Sequence, residues 1–520
     1  MGSCMSINTE TEISGARFHR AGHVKNVPHV QQTTVISAPV LNTRRHWMAQ
    51  QALGLSGLAS AWLRQQALHA APPKPQLEPV TFDLKPKPPA ARPQATAMIS
   101  MFMQGGPSHI DLFDPKPELN KRHLQSFTGD IKYDNAGEAS SKLFGCPWRF
   151  RKYGDCGMDL SELVPHLGTV ADDICLIRSM CTGVNNHGES INALNTGRQQ
   201  AGRPSLGAWM SYGLGSDRAS LPSFMVLTDP AGLPVLGVEN WQNGWLPSVY
   251  QGTVVRSQEP RILNLDPPPS LRGANQVRML DYLRRINETH LLQHPGEHDL
   301  SARMQSYDLA AGMQIAASEA MNVSQESETT QKLYGIDNEV TREYGTRCLI
   351  ARRLVERGVR FVQLHTGNQT WDHHGGIITG LPNVCGRVDQ PAAALVQDLK
   401  QRGLLDSTLV HWGGEMGRLP VIQNEQNIGR DHNTYGFSMW LAGGGIKGGC
   451  IHGETDELGH KAVTDIVNHF DYHATLMYLF GLSGEQLSIV RPTGINSLLD
   501  GQPGEIVAKI LKRPPEVVAS

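Results

Sequence analysis

Residues 359–376 read VRFVQLHTGNQTWDHHGG, and this stretch predicts both the fold and the place of its chemistry. Its first six residues are mostly apolar and include β-branched valines, which is typical of a buried strand. Asp372, His373 and His374 then lie in a glycine-rich loop just beyond the C-terminal end of that strand. Open α/β sheets bind their ligands at this end of their strands.

The Asp-x-His pattern offers a carboxylate oxygen and an imidazole nitrogen, a mixture that Zn²⁺ or Mn²⁺ accepts. By itself the loop fits a solvated histidine pair better than a metal site. However, residues 98–103 (MISMFM) and 407–412 (STLVHW) are also strand-like and are also followed by glycine and then by acids or histidines. Three strand ends with one ligand chemistry predict a metal site. The candidate ligands are His109, Asp111, Asp372, His374, Glu415, Asp431 and His432.

The bulk composition excludes several classes of protein. The chain has 520 residues, enough for one large domain or two smaller ones, and a formal net charge of -2. This balanced charge gives no electrostatic footprint for a nucleic-acid partner. The eight cysteines include no Cys-x-x-Cys pair and no dense framework. Neither a zinc ribbon nor a disulfide scaffold is indicated, and disulfides between some of the cysteines stay open.

The N-terminal part of the chain predicts export. Residues 1–42 are polar and aperiodic and are expected to be a disordered leader. Residues 43–70 contain adjacent arginines, a mildly apolar run and then small residues, which resembles a twin-arginine signal peptide; an amphipathic helix is the alternative. The apolar run is shorter than the roughly 20 residues of a spanning helix, so no stable membrane anchor is expected. The expected partner is the twin-arginine export machinery, and the expected location is the periplasm or cell surface.

The remaining chain predicts a linker and one folded domain. Residues 71–95 are rich in proline and lysine and predict an extended linker, followed by a domain over residues 96–515. Further strand-like runs cover residues 173–180, 222–228 and 438–445. Helical spacing occurs over residues 160–170, 271–292, 299–321, 339–358, 392–403 and 471–481. Strands that alternate with helices predict a three-layer α/β domain.

Five motifs resemble the exported bacterial domain-of-unknown-function family 1501. They are GGPSHIDLFDPKP at 105–117, WDHHG at 371–375, GEMGRLP at 414–420, GRDHN at 429–433 and GGGIKGG at 443–449. The resemblance covers essentially the whole chain past the signal, and that family belongs with the alkaline phosphatase and sulfatase superfamily. It implies an α/β/α sandwich with a mostly parallel sheet, a metal centre at the C-terminal ends of the strands, and hydrolysis of a phosphate or sulfate ester.

The resemblance also implies roles for the candidate ligands. His109 and Asp111 resemble the first acidic ligand cluster of the superfamily, although the aspartate lies later after its strand than usual. Asp372 with His374 resembles the aspartate and histidine pair in the middle of the chain. One or two divalent cations (zinc, manganese or calcium) are therefore implied, because such ligands hold a cation that polarises a P–O or S–O oxygen.

The last ligand group departs from the superfamily pattern at one position. Glu415 stands where the superfamily often has an aspartate, and Met416 replaces the histidine that usually follows. His432 resembles the late metal histidine, with Asp431 beside it. The methionine predicts fewer ligands than a full pair of cations requires.

The nucleophile also departs from the sulfatase pattern. In sulfatases a cysteine or serine opens a helix that ends in Thr-Gly-Arg, and residues 196–198 resemble that ending. The family spacing then falls on His187, and the Cys-x-Pro-x-Arg signature of formylglycine formation is absent. Thr182 or Ser190 could attack instead, or a water activated by the metal could attack with His187 as ligand or proton donor. The simpler alternative is that His187 only caps a helix.

The sequence thus predicts an exported, metal-dependent hydrolase that acts on a small-molecule or polysaccharide ester of phosphate or sulfate. Trp241, Trp245 and Tyr250 fit a sugar-stacking wall and ordinary packing equally well. The alternative function is a non-catalytic surface protein that binds metal or glycan on the same fold. A metal-independent esterase is disfavoured because no Gly-x-Ser-x-Gly elbow occurs.

Overall fold

The computed structural model describes residues 82–515, apart from residues 132, 135–138, 218–219 and 295–297. The predicted leader and signal peptide, residues 1–42 and 43–70, lie outside the described residues, and so does the first part of the predicted linker. No helix in the described part of the chain is long and apolar enough to cross a membrane.

The strands are, in chain order, β1 Ala97–Phe102, β2 Phe150–Tyr153, β3 Met158–Ser161, β4 Ile174–Cys181, β5 Phe224–Leu227, β6 Thr253–Val255, β7 Phe361–His365, β8 Thr408–Gly413, β9 Gly417–Arg418, β10 His432–Asn433, β11 Phe437–Ala442, β12 Cys450–His452, β13 Glu454–Thr455, β14 Ala462–Thr464, β15 Val467–Asn468, β16 Ser488–Arg491 and β17 Gly494–Ser497. The α-helices are α1 His109–Leu112, α2 Pro117–Lys121, α3 His187–Thr196, α4 Leu206–Leu214, α5 Ala274–Gln293, α6 His298–Met321, α7 Glu328–Leu333, α8 Arg342–Glu356, α9 Ile377–Gln401 and α10 His469–Leu479. Short 3-10 helices cover Leu167–Asp173, Gly237–Trp241, Ser248–Tyr250, Pro269–Leu271, Val323–Gln325 and Ala508–Ile510.

A large sheet organises the domain. Among the described residues it has nine strands in the order β12-β4-β11-β8-β1-β7-β5-β6, with β15 beside β4. All pairings are parallel except the two that β11 makes with β4 and β8. Since β11 is antiparallel to both neighbours, β4 runs in the same direction as β8. The C-terminal ends of β4, β8, β1 and β7 therefore lie at one edge.

Helices cover both faces of this sheet. Ile99 and Met101 of β1 lie in one hydrophobic core with residues of α8 and α9. Met98 and Phe102 lie in a second core with residues of α4 and α10. This separation arises because successive side chains of a strand point to opposite faces. The predicted three-layer α/β/α architecture with a mostly parallel sheet is confirmed.

Most predicted elements match the structure, and the exceptions involve proline. Residues 160–170 do not form an α-helix, because Pro165 lacks an amide hydrogen and disfavours helical backbone at the residue before it. Instead β3 ends at Ser161 and a 3-10 helix begins at Leu167. Helix α9, predicted from residue 392, begins at Ile377 and contains two prolines.

The described part of the predicted linker, residues 82–95, contains no helix or strand. It is bonded to the domain along its length: Lys87 Nζ donates to the carbonyl of Tyr212 at 2.6 Å, and the hydroxyl of Tyr250 donates to the carbonyl of Asp83 at 3.0 Å. This proline-rich stretch therefore lies along the domain.

The indole of Trp412 joins the central strand β8 to the loop after β7. It is 3% exposed, makes edge contacts with Phe113 and Trp371, and stacks on Trp440.

We expect Trp412→Ala to lower the free energy of unfolding by about 3–5 kcal/mol, because it leaves a cavity among large rings. Urea unfolding measures this loss. The control Val490→Ala, at a position 80% exposed, should change it by less than about 0.5 kcal/mol, and equal effects would contradict this account of the core.

Candidate metal centre

Four loops meet at the C-terminal edge of the sheet. Gly105 follows β1, Asp372 follows β7, Glu415 follows β8 and His187 follows β4. They meet because β1 lies between β7 and β8 in the sheet, with β4 two strands beyond β8. The parallel arrangement thus collects residues that are far apart in the chain.

Two glycines allow the loop after β1 to contact both neighbouring loops. Gly105 and Gly106 have φ angles of +111° and +76°, which favour glycine. A Cβ atom at Gly105 would lie 2.6 Å from the backbone nitrogen of Asp372, and one at Gly106 would lie 2.8 Å from Cγ of Met416. The amide of Gly105 donates to Glu415 Oε1 at 2.9 Å. The backbone of the loop after β1 therefore packs directly against both neighbouring loops.

Arg418 on β9 holds this junction together. Its fully buried guanidinium donates to the carbonyls of Gly106 at 3.0 Å, of Arg430 at 3.1 Å, and of Gly105. It also donates to Asp372 Oδ1 at 2.5 Å. Burial would raise the pKa of Asp372, but the charge of Arg418 and the hydrogen bond from His187 hold this pKa well below its usual range. Asp372 is therefore a permanent anion.

Three histidines surround the Asp372 carboxylate. His187 Nε2 lies 3.3 Å from Oδ2, and His374 Nε2 and His432 Nε2 lie 3.1 and 3.6 Å from Oδ1. The Nε2 atoms of His374 and His432 are 3.1 Å apart. One nitrogen of each ring thus points at a single carboxylate.

The other ring nitrogen of each histidine faces an oxygen atom. These Nδ1 contacts join His187 to Glu415 Oε1 at 2.7 Å, His432 to the carbonyl of Asn185 at 2.9 Å, and His374 to Asp431 Oδ1 at 3.5 Å. Carboxylate and carbonyl oxygens only accept hydrogen bonds, so a proton on Nδ1 satisfies them. This leaves the lone pair of Nε2 available in the neutral ring, as in the histidine ligands of metal sites.

The charge states of two of these rings differ. Burial would lower the pKa of His187, but its hydrogen bonds to Asp372 and Glu415 raise that pKa to about 9. Burial lowers the pKa of His432. In the metal-free protein at neutral pH, both ring nitrogens of His187 are therefore protonated, and the ring is a cation between two carboxylates. His432 is neutral.

The donor set fits a divalent cation. A tetrahedral cation with bonds of about 2.1 Å separates its ligand atoms by about 3.4 Å. The distances among Asp372, His374 and His432, from 3.1 to 3.6 Å, agree with this spacing. Moreover, Glu415 Oε2 is buried and, among the described residues, makes no hydrogen bond. Buried polar atoms without partners are costly, and a bound cation and its water would satisfy them.

Sequence reasoning missed two residues of this site. The amide of Asp134 donates to Asp431 Oδ2 at 2.9 Å, and its carboxylate lies within 4.8 Å of ligand atoms of His374, Asp431 and His432. Asp134 lies in an irregular region that has no pattern to mark it. Arg418 belongs to the GEMGRLP motif. An arginine between two glycine-rich loops is the signal that could have indicated a partner for a nearby carboxylate.

Two predicted ligands do not join the cluster. His109 is buried, and its Nε2 lies 2.8 Å from the carbonyl of Gly459. Both oxygens of Asp111 accept from the guanidinium of Arg430, at 2.8 and 2.9 Å. A carboxylate saturated by a buried arginine has little capacity left for a cation. The structure thus places Asp111 as a partner of Arg430.

The predicted attacking groups also separate. His187 is the first residue of α3, after the N-cap Asn186. The hydroxyl of Ser190 donates to the carbonyl of Asn186 at 2.7 Å and shares a longer contact with that of His187. The hydroxyl of Thr182 is buried and has no hydrogen-bond partner in the described part of the chain. Only His187 contacts the Asp372 cluster.

We expect Asp111→Asn to lower the free energy of unfolding by about 3–5 kcal/mol, because it weakens the partner of a buried arginine, without removing bound metal from the folded protein. His432→Ala should instead lose the metal from the folded protein. Elemental analysis and urea unfolding measure the two effects, with the exposed His166→Ala as control. Loss of metal in folded Asp111→Asn would contradict the placement of Asp111 outside the centre.

The pKa of His187 predicts how metal-free protein responds to pH. Its value of about 9 in the folded state exceeds about 6.5 in the unfolded state. Its stabilising contribution is therefore complete below about pH 6.5 and is lost as pH rises through 9. We expect a loss on the order of 1–3 kcal/mol between pH 6.5 and 9.5, absent in His187→Gln. The difference between the two unfolding curves is the measurement, and a constant difference across this range would contradict the shift.

Comparisons with known proteins show the family to which the chain belongs. No curated protein matches the chain, whereas 43 solved chains do. The phosphonate monoester hydrolase SpPMH from Silicibacter pomeroyi is 9% identical, with a TM-score of 0.34 and coverage of 82% of this chain and 78% of that one. The PsFucS1 sulfatase from Pseudoalteromonas sp. is 14% identical, with a TM-score of 0.29 and coverage of 75% and 68%. The alkaline phosphatase from the Antarctic bacterium TAB5 is 12% identical, with a TM-score of 0.29 and coverage of 71% and 96%.

These structural similarities are too weak to support an argument about activity. The family assignment rests on sequence: a family model for the proteins of unknown function DUF1501 matches residues 95–511. This match confirms the family indicated by the five motifs. The chain is therefore a member of the DUF1501 family.

Proposed function

We propose that the protein is an exported, metal-dependent hydrolase of phosphate or sulfate esters. The cation would be held by Asp372 Oδ1 and by the Nε2 atoms of His374 and His432. The supporting observation is that several imidazoles face a single permanent anion through Nε2 while oxygen atoms occupy their Nδ1 sides. Three protein ligands leave a fourth position open, as catalytic zinc sites do.

Two predicted ligands take a different part in this proposal. Glu415 orients His187 through a 2.7 Å contact, and Asp431 lies against Nδ1 of His374. Carboxylates in such positions fix the orientation of the histidine and raise its basicity. His109 and Asp111 have other partners. The proposed centre therefore holds one cation.

The site has the charges that an anionic ester needs. A bound cation would polarise an oxygen of the ester and make water a better nucleophile. Arg418 neutralises Asp372, so the centre as a whole accepts a negatively charged group. His187, with a pKa raised to about 9, would donate a proton from Nε2 to the leaving oxygen. Its position between Asp372 and Glu415 returns it to the protonated form.

Water is the proposed nucleophile. The hydroxyl of Ser190 is bonded to the carbonyl of Asn186 and lies inside α3. We therefore expect Ser190→Ala to retain turnover. Thr182 is the second candidate, and Thr182→Val, which keeps its shape but removes the hydroxyl, decides between the threonine and water.

The proposed substrate class follows from the centre that would bind the ester group, and not from a sugar-binding surface. Trp241 and Tyr250 are fully buried, and the guanidinium groups of Arg203 and Arg491 lie 4.8 and 4.6 Å from the ring centroid of Trp245. Trp241 and Tyr250 therefore pack within the domain, and the proposal does not rely on a sugar-stacking wall. A screen should therefore begin with small phosphate and sulfate esters and then extend to esters of polysaccharides.

The first test combines metal content with turnover. After dialysis, we expect about one equivalent of zinc, manganese or calcium in the protein and none in folded Asp372→Ala. His187→Gln should keep the metal but lose turnover by about 10²–10⁴-fold, because it removes only the proton donor. The matched control Asp406→Ala, an exposed aspartate paired with Lys512, should change neither. Full turnover in Asp372→Ala would refute the proposal.

A non-catalytic protein that binds metal or glycan is the second candidate. The observation in its favour is that the family position of the nucleophile carries His187, while the nearby hydroxyl of Ser190 is committed to the helix backbone. Bound metal without hydrolysis of any phosphate or sulfate ester would support this alternative.

A further inference from the structure

Two cysteines lie side by side at the edge of the central sheet, away from the Asp372 cluster. Cys450 of β12 is the register partner of Cys175 in the parallel neighbour β4. Register partners on adjacent strands are about 4.8 Å apart, within the Cα separations of about 4.4–6.8 Å that a disulfide bridges. Both side chains contact the core on the same face of the sheet. The backbone spacing therefore permits a bond between their sulfur atoms.

The surroundings make one thiol of this pair reachable. Cys175 is buried in the core that contains α4 and α10, and Cys450 packs on the same core but is only partly buried. Cys348 and Cys385 are instead buried in the core on the other face of the sheet. An oxidant can therefore reach the pair through Cys450, since β12 ends the strand order of the sheet.

We propose that Cys175 and Cys450 form a reversible disulfide that closes the edge of the central sheet. The oxidant is a disulfide compound, such as glutathione disulfide. The Cys450 thiolate attacks one of its sulfur atoms and releases the first thiol. Cys175 then attacks Sγ of Cys450 and releases the second thiol. The two cysteines lose two electrons and two protons, and the oxidant gains them.

The order of these two attacks follows from the environment. The hydrogen bond from Cys175 lowers the pKa of Cys450 to about 7, and the charge of Lys447 adds to this effect. The same hydrogen bond and burial raise the pKa of Cys175 well above its usual range. The thiolate is the reactive form of cysteine, so Cys450 reacts first.

The bond would have a structural consequence. Strand β12 has three residues and follows the glycine-rich loop at 443–449, so few backbone hydrogen bonds hold it. A disulfide from β12 to β4 would join residues far apart in the chain and restrict the unfolded state, which stabilises the folded one. This inference does not depend on the proposed hydrolase function.

The test uses the full chain in glutathione buffers of increasing disulfide content. After acid quenching and alkylation of free thiols, mass spectrometry of non-reduced peptides maps the bonds. Trypsin leaves Cys156 and Cys175 in one peptide, because no lysine or arginine lies between residues 152 and 178. A second protease that cuts after Glu162 separates them. This separation matters because Cys156 is a competing partner for Cys450. Its Cβ atom is 3.1 Å from the position that a Cβ atom on the preceding residue, Gly449, would occupy.

We expect a bond between Cys175 and Cys450 in oxidising buffer and a Tm several degrees above that of the reduced protein. Cys450→Ser should remove both effects. Cys181→Ser, at a partly buried cysteine of β4, should remove neither effect. Three results would overturn the proposal: no bond at any buffer composition, a bond from Cys450 to Cys156, or a redox-dependent Tm that persists in Cys450→Ser. The peptide map of the unmodified chain decides the question even if a variant folds poorly.

Discussion

The guanidinium of Arg418 is the interaction on which the C-terminal edge of the sheet depends. It is fully buried and donates to three backbone carbonyls, those of Gly105, Gly106 and Arg430, and to the carboxylate of Asp372. A buried charge without partners is strongly destabilising. The loops after β1 and β7 and the β9–β10 ribbon must therefore reach their positions together for this arginine to be satisfied. The positions of the centre's anion and of His432 follow from that requirement.

A second buried arginine engages one of the predicted ligands away from the Asp372 cluster. Arg430 occupies both oxygens of Asp111 and lies over the ring of Phe144 at 4.3 Å. Its carbonyl in turn accepts from Arg418. Asp111 thus supports the scaffold, and a cation would have to compete with Arg430 for its oxygens. Arg418 bonds Asp372 and leaves it facing three histidines, whereas Arg430 occupies both oxygens of Asp111.

Much of the fold could be predicted because the signals are local. Buried parallel strands appear as short apolar runs, and the runs around residues 98–103, 359–364 and 407–412 became three adjacent strands. Prediction failed where one residue changed the outcome, as at Pro165, or where a helix tolerated proline, as in α9. Asp134 could not be predicted, because no strand or helix pattern surrounds it and only the folded chain brings it to Asp431.

The sequence by itself determined which residue types follow each strand, and therefore that Asp372, His374 and His432 would lie at one edge of an α/β sheet. Only the tertiary structure decided which acids face histidines and which face arginines. Asp111 and Arg430 are 319 residues apart, and His187 and Glu415 are 228 apart. The physical reason is that strand formation depends on neighbouring residues, whereas a buried charge takes the partner that the packed loops place beside it.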